Sequence, residues 1–131
     1  MATVLMIDDD AAAARQLATA LAIEGVETKQ VATALEALEV LERTPADLVL
    51  LELMLPGING IELARMLRAR YPELRIVLTG SYHLSERQLR NSECGALAFV
   101  PKPFEATTVA GFLRSKIPSS PPSSARITKR S

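Results

Sequence analysis

The chain has 131 residues, enough for one compact core and too few for two. Fifteen Lys and Arg balance fifteen Asp and Glu, so no overall field draws the protein to nucleic acid or to a membrane surface. The lone Cys94 rules out an internal disulfide and fits a reducing compartment.

The charge is unevenly placed. Arg126, Lys129 and Arg130 lie near the end, which leaves the body mildly acidic, so the folded part is expected to bind no nucleic acid. The first apolar run is too short for a secretory leader and ends in three aspartates, and no segment is apolar for long enough to span a bilayer. A cytoplasmic location, with no membrane contact, is expected.

Residues 3–7 form a short apolar run ending at Asp8-Asp9-Asp10, the pattern of a buried strand with acids at its carboxyl end. Asp10 is placed to cap a helix over 11–24, where Leu17, Ala20, Leu21 and Glu24 recur at helical spacing and Gly25 marks the stop. A more polar strand follows over 26–31. Residues 33–43 predict a helix with Leu35, Leu38 and Leu41 on its inner side, and Pro45 lies beyond its end. The third strand, 48–51, is apolar without alternation, as expected when both faces are covered.

Pro56-Gly57 and Asn59-Gly60 predict a loop before a helix over 61–69, whose inner side is Ile61, Leu63, Ala64 and Leu67. A fourth strand over 75–78 runs into a polar turn, Thr79-Gly80-Ser81. The helix over 84–93 has a thin apolar stripe, mainly Leu84 and Leu89, and is expected to be the least firmly held. A fifth strand over 97–100 precedes Pro101, which a sheet edge accommodates, and a helix over 105–117 follows through Val109, Phe112 and Leu113.

This alternation predicts an α/β fold, a doubly wound five-stranded parallel sheet covered on both faces. Sites in such sheets lie at the carboxyl ends of the strands, where this sequence puts Asp8, Asp9, Glu52, Thr79 and Lys102. From Pro118 onward the chain is too polar and proline-rich to bury a core. Residues 1–117 are read as the domain, and 118–131 as a disordered Pro/Ser-rich basic tail.

Five signatures occur in order at strand ends: Ile7-Asp8-Asp9, Leu51-Glu52-Leu53-Met54-Leu55-Pro56-Gly57-Ile58-Asn59-Gly60, Leu78-Thr79-Gly80, Phe99, and Lys102-Pro103-Phe104. Together they make the chain resemble the response-regulator receiver domain of bacterial two-component signalling over residues 3–117. The resemblance implies a flavodoxin-like (βα)5 sandwich with strand order 2-1-3-4-5. It also implies a phosphate-accepting aspartate, and at that position this sequence has Glu52. The chain therefore reads as an atypical receiver or pseudo-receiver. An engineered aspartate-to-glutamate change in an ordinary receiver would read identically.

By resemblance, Asp8 and Asp9 help to hold magnesium, with Met54 ligating through its backbone carbonyl. Thr79 bonds a phosphoryl oxygen and moves the switch, Phe99 turns inward with it, and Lys102 pairs with the acceptor. The bond to Pro103 is expected to be cis. Plainer readings stand beside these. Paired carboxylates need a cation and suit magnesium, but they also precede and cap a helix. Thr79 can satisfy a turn, and Phe99 can be a permanently buried aromatic. His83 lacks a partner at ligand spacing and reads as a surface residue, and Cys94 reads as a buried apolar group at a helix end.

An acyl phosphate requires a carboxylate oxygen in line with the donor phosphorus. The Glu52 carboxylate reaches on the order of 1 Å too far, a displacement worth about 100-fold where catalysis rests on position. The longer arm reaches Lys102 or Thr79 instead. It mimics phosphate only in part, with one charge against roughly −1.5 to −2. Magnesium binding is expected to be weak or absent.

The leading expectation is a signal-transduction module that binds a protein partner, by resemblance a histidine kinase or a downstream effector, with no phosphorylation cycle and no enzymatic turnover. The alternative is a working phosphorelay receiver that accepts phosphate at Glu52 or a substitute site. A flavin- or nucleotide-binding enzyme fits badly, because three aspartates occupy the loop that would have to cradle a phosphate.

Overall fold

The computed structural model describes residues 1–118, so the tail expected from Pro118 onward lies, past that proline, outside the described residues. The elements are β1 (Thr3–Ile7), α1 (Ala11–Ile23), β2 (Glu27–Val31), α2 (Ala34–Arg43), β3 (Leu48–Glu52), β4 (Met54–Leu55), β5 (Ile58–Asn59), α3 (Gly60–Arg70), β6 (Ile76–Gly80), α4 (Glu86–Ser92), β7 (Ala98–Pro101) and α5 (Ala106–Lys116). The main sheet has the order β2-β1-β3-β6-β7 with every pairing parallel, the doubly wound arrangement expected.

Successive residues of the central strands feed opposite faces, which is why those strands read as unbroken apolar runs. Leu5, Ile7, Val49, Leu51, Ile76 and Leu78 pack under α2, α3 and α4. Val4, Met6, Leu48, Leu50 and Val77 pack under α1 and α5 with Leu17, Leu21 and Leu113. Pro101 falls on β7, an edge strand, where its missing N–H leaves no gap in the sheet interior.

Four local expectations are corrected. In α2 the buried residues are Ala37, Val40 and Leu41, while Leu35 is 68% exposed. Leucines three apart turn about 300° per step, so the row drifts off the inner face within two steps. The loop after β3 contains a short antiparallel hairpin, β4 with β5, closed by Pro56-Gly57 with Gly57 at φ 81°. Thr79 and Gly80 belong to β6, not to a turn, because β7 continues the ladder past them. On α1, Glu24 is the exposed C-cap and Ala14 fills the buried stripe in its place.

Two helical glycines contrast. A Cβ at Gly60 would lie 2.6 Å from the Glu52 carbonyl oxygen and 2.8 Å from Leu53 Cα, so the start of α3 can approach β3 only without one. Gly111, exposed on α5, has nothing within 4 Å. Gly111→Ala is expected to raise stability by about 0.5–1 kcal/mol through the lower entropy of the unfolded chain. Gly60→Ala should lower it by about 1–3 kcal/mol through backbone displacement. Urea unfolding of both variants checks the opposite signs.

Candidate functional site

The register of the parallel ladder brings distant residues to one edge. Ile7 pairs with Leu51, Glu52 with Thr79 and Thr79 with Val100, so β1, β3, β6 and β7 end side by side. Lys102, just past β7, points its ammonium between two carboxylates. Its Nζ lies 2.7 Å from Asp8 Oδ2 and 2.8 Å from Glu52 Oε1, with Asp10 Oδ2 at 3.9 Å. The remaining oxygens are also engaged. The Asp10 N–H donates to Asp8 Oδ1 and the Met54 N–H to Glu52 Oε2, each at 2.9 Å.

Asp8 and Glu52 are only 5% and 7% exposed, so one ammonium faces two nearly dry acids. Burial raises the Asp8 pKa above its ordinary value, the Glu52 charge adds to the rise, and the Lys102 and Asp10 hydrogen bonds oppose it. Burial works against the Lys102 charge as well, but its hydrogen bonds to Asp8 and Glu52 prevail and its pKa is raised. The two rises have different origins, burial for Asp8 and paired carboxylates for Lys102.

The other anticipated residues are distributed as follows. Thr79 is fully buried and its Oγ1 donates to the Val100 carbonyl at 2.7 Å, so the hydroxyl satisfies the neighbouring strand; of the two partners considered for Glu52, Lys102 is the one bonded to it. Phe99 is partly buried, packs against the core under α4, and lines a cavity of about 280 Å³ with Leu84, Leu89 and Ala98. Asp9 is exposed and the Met54 side chain is 53% exposed. The Lys102-Pro103 bond is cis. His83 is exposed and Cys94 is buried, as the sequence suggests.

A family model for the response regulator receiver domain matches residues 4–113. The chain belongs to that family. It is 35% identical over 114 residues to the DNA-binding response regulator MtrA of Mycobacterium tuberculosis, covering 87% of this chain and 50% of that protein. It is 28% identical over 115 residues to sporulation initiation phosphotransferase F of Bacillus subtilis, covering 88% of this chain and 93% of that one. Among solved structures, the receiver domain of NtrX from Brucella abortus matches with a TM-score of 0.79 at 27% identity, covering 89% of this chain and 99% of that one. A CheY-like receiver domain protein from Methanospirillum hungatei matches at 0.80 and 26%, covering 89% and 94%. The receiver described here spans about half the length of the MtrA regulators. Among its described residues no helix is long and apolar enough to cross a membrane.

Magnesium is typical of receiver domains, and its fit here can be judged from the donor set. All four oxygens of Asp8 and Glu52 already accept from N–H groups, and the Lys102 ammonium occupies the space between them. Among the described residues, no three His, Cys, Asp or Glu side chains gather as a group able to hold a metal. In this arrangement the residues do not fit the ion.

Three contributors escaped the sequence reading. Gln30 Nε2 donates to the Asp8 carbonyl at 2.7 Å, Asp10 joins the ion cluster besides accepting from Ala13 N–H as helix cap, and Gly80 abuts Glu52. A polar residue near the carboxyl end of the strand paired with β1 was the available signal for Gln30. Gly80 was masked by its reading as a turn.

Lys102→Met should destabilise the receiver by about 3 kcal/mol at pH 7, since it leaves two buried acids unpaired. The difference from the native chain should shrink on both sides of neutrality. Asp8, with its raised folded pKa, takes up a proton as pH falls and then needs no cation; the native chain loses the Lys102 contribution as pH climbs past 10.5 through the still higher folded value. Urea unfolding of both proteins across pH tests this bell-shaped difference.

Proposed function

We propose that this receiver is a cytoplasmic protein-interaction module of two-component signalling, an atypical or pseudo-receiver in which Glu52 at the acceptor position is not cycled by phosphate. Residues 1–117 form the working unit in this reading. The observation that carries it is the engagement of both Glu52 oxygens, one by Lys102 and one by the Met54 N–H. Phosphoryl transfer needs a carboxylate oxygen free to approach phosphorus in line, and positioning supplies most of the rate. Lys102, itself held by Asp8, neutralises the Glu52 acid, while Thr79 spends its hydroxyl on Val100. None of these groups awaits a phosphoryl oxygen.

The partner is a signalling protein, by resemblance a histidine kinase or a downstream effector, and neither nucleic acid nor membrane nor flavin. The cavity beside α4 and β7 is a suitable docking place, with apolar Leu84, Leu89, Leu97 and Phe99 beside charged Glu86 and Arg90. Partner binding changes the α4 arrangement only to the extent that the partner prefers one arrangement over another.

A second reading keeps the phosphorelay, with Glu52 or a substitute as acceptor and magnesium as cofactor. It is favoured by Asp8, Thr79 and Lys102 all lying around Glu52 at the strand ends. Incubation with acetyl phosphate and magnesium, followed by intact-mass measurement, separates the two. The native chain is expected to keep its mass, and Glu52→Asp is expected to gain one phosphoryl group. Stable phosphorylation of native Glu52 would establish the second reading and refute the first.

A further inference from the structure

Gly80 sits beside Glu52 without a backbone reason to be glycine. It closes β6 in register with Pro101, and it is absent from the glycines with positive φ, which are Gly25, Gly57 and Gly95. What it provides is space. A Cβ there would lie 3.0 Å from Glu52 Oε2 and 3.1 Å from Leu53 Cβ, closer than the roughly 3.5–4.0 Å of an unstrained carbon contact.

Neither neighbour can readily move aside. Glu52 Oε2 accepts from the Met54 N–H at 2.9 Å, and Oε1 is held by Lys102 at 2.8 Å. Leu53 is 7% exposed, and its N–H donates to the Thr79 carbonyl at 2.7 Å, which pins the backbone carrying that side chain. A methyl group at position 80 would require the carboxylate to give by a few tenths of an ångström, straining its hydrogen bond to the Met54 N–H.

We infer that Gly80 is the positioning residue for Glu52: the absent methyl group is the room that the longer acid occupies. Aspartate at position 52, one methylene shorter, would hold its carboxylate back toward β3 and leave that room open. Acid length at 52 and residue size at 80 are therefore a matched pair. This inference rests on the reading of Glu52 as a fixed, paired carboxylate. Its test uses no phosphodonor, so it can fail without the phosphorylation result failing, and the reverse.

The test is a double-mutant cycle of native chain, Gly80→Ala, Glu52→Asp and the double variant, unfolded in urea. Gly80→Ala is expected to lower the folding equilibrium constant about tenfold in the native background and at least threefold less in the Glu52→Asp background, a coupling ordinary for contacting residues. The Met54 amide proton, followed by NMR, should shift upfield in Gly80→Ala as its hydrogen bond lengthens. Losses within threefold of each other in the two backgrounds, or an unmoved Met54 resonance, would overturn the inference. Should Gly80→Ala fail to fold alone, folding of the double variant supports the pairing and its failure overturns it.

Discussion

One ammonium group shared by two buried carboxylates organises the upper edge of this domain. Asp8 comes from just past the first strand, Glu52 from the end of the third and Lys102 from just past the last, so the contact joins the centre of the sheet to its edge. Desolvating three ions costs several kcal/mol each, and attraction in a dry site offsets this only with good geometry and further hydrogen bonds. The Asp10 and Met54 N–H groups supply those bonds. Such a cluster is a poor stabiliser beside an apolar replacement, but it allows the Glu52 carboxylate a single place.

The rest of the fold keeps the strand ends in register beneath that contact. Parallel pairing aligns Glu52 with Thr79, and Gly60 lets α3 start against the end of β3. The anchoring of α4 is uneven. It buries only Leu89, which suits a helix expected to be loosely held, yet its exit is fastened to α3 through Arg65 on the Ser92 carbonyl and Arg68 on the Gly95 carbonyl. A Cβ at Gly95 would come within 2.5 Å of Arg68 Nε, so that fastening also needs a glycine. The opposite end carries a capping box of Ser85 and Gln88 and borders the Phe99 cavity. The start of α4 is thus held by its own cap, and its exit by side chains of α3.

Geometry and membership of the receiver family bear on different questions. Family membership supplies the signalling context and the strand-end site. The geometry bears on what the Asp8 and Glu52 carboxylates can do, because their oxygens are held by N–H donors of the chain itself. The hydrogen bonds to Asp8 and Glu52 raise the Lys102 pKa, while burial raises that of Asp8 against the pull of the same Lys102 ammonium.

Much of this was readable in the chain. Unbroken apolar runs such as residues 48–51 and the Asp8-Asp9-Asp10 strand end identify a covered parallel sheet with acids at its mouth, because burial on both faces removes alternation. Leu35 misled, since a three-residue spacing looks helical yet rotates off the buried face, and Thr79-Gly80 read as a turn because small polar residues carry that signal locally. The sequence by itself determined the fold, the presence of a glutamate at position 52, and the lysine able to meet it. Only the tertiary structure decided that Lys102 and the Met54 N–H take the two Glu52 oxygens while Thr79 turns to Val100. Glu52 and Lys102 are 50 residues apart, and which donor wins depends on ångström-scale distances set by strand register, a quantity no local pattern encodes.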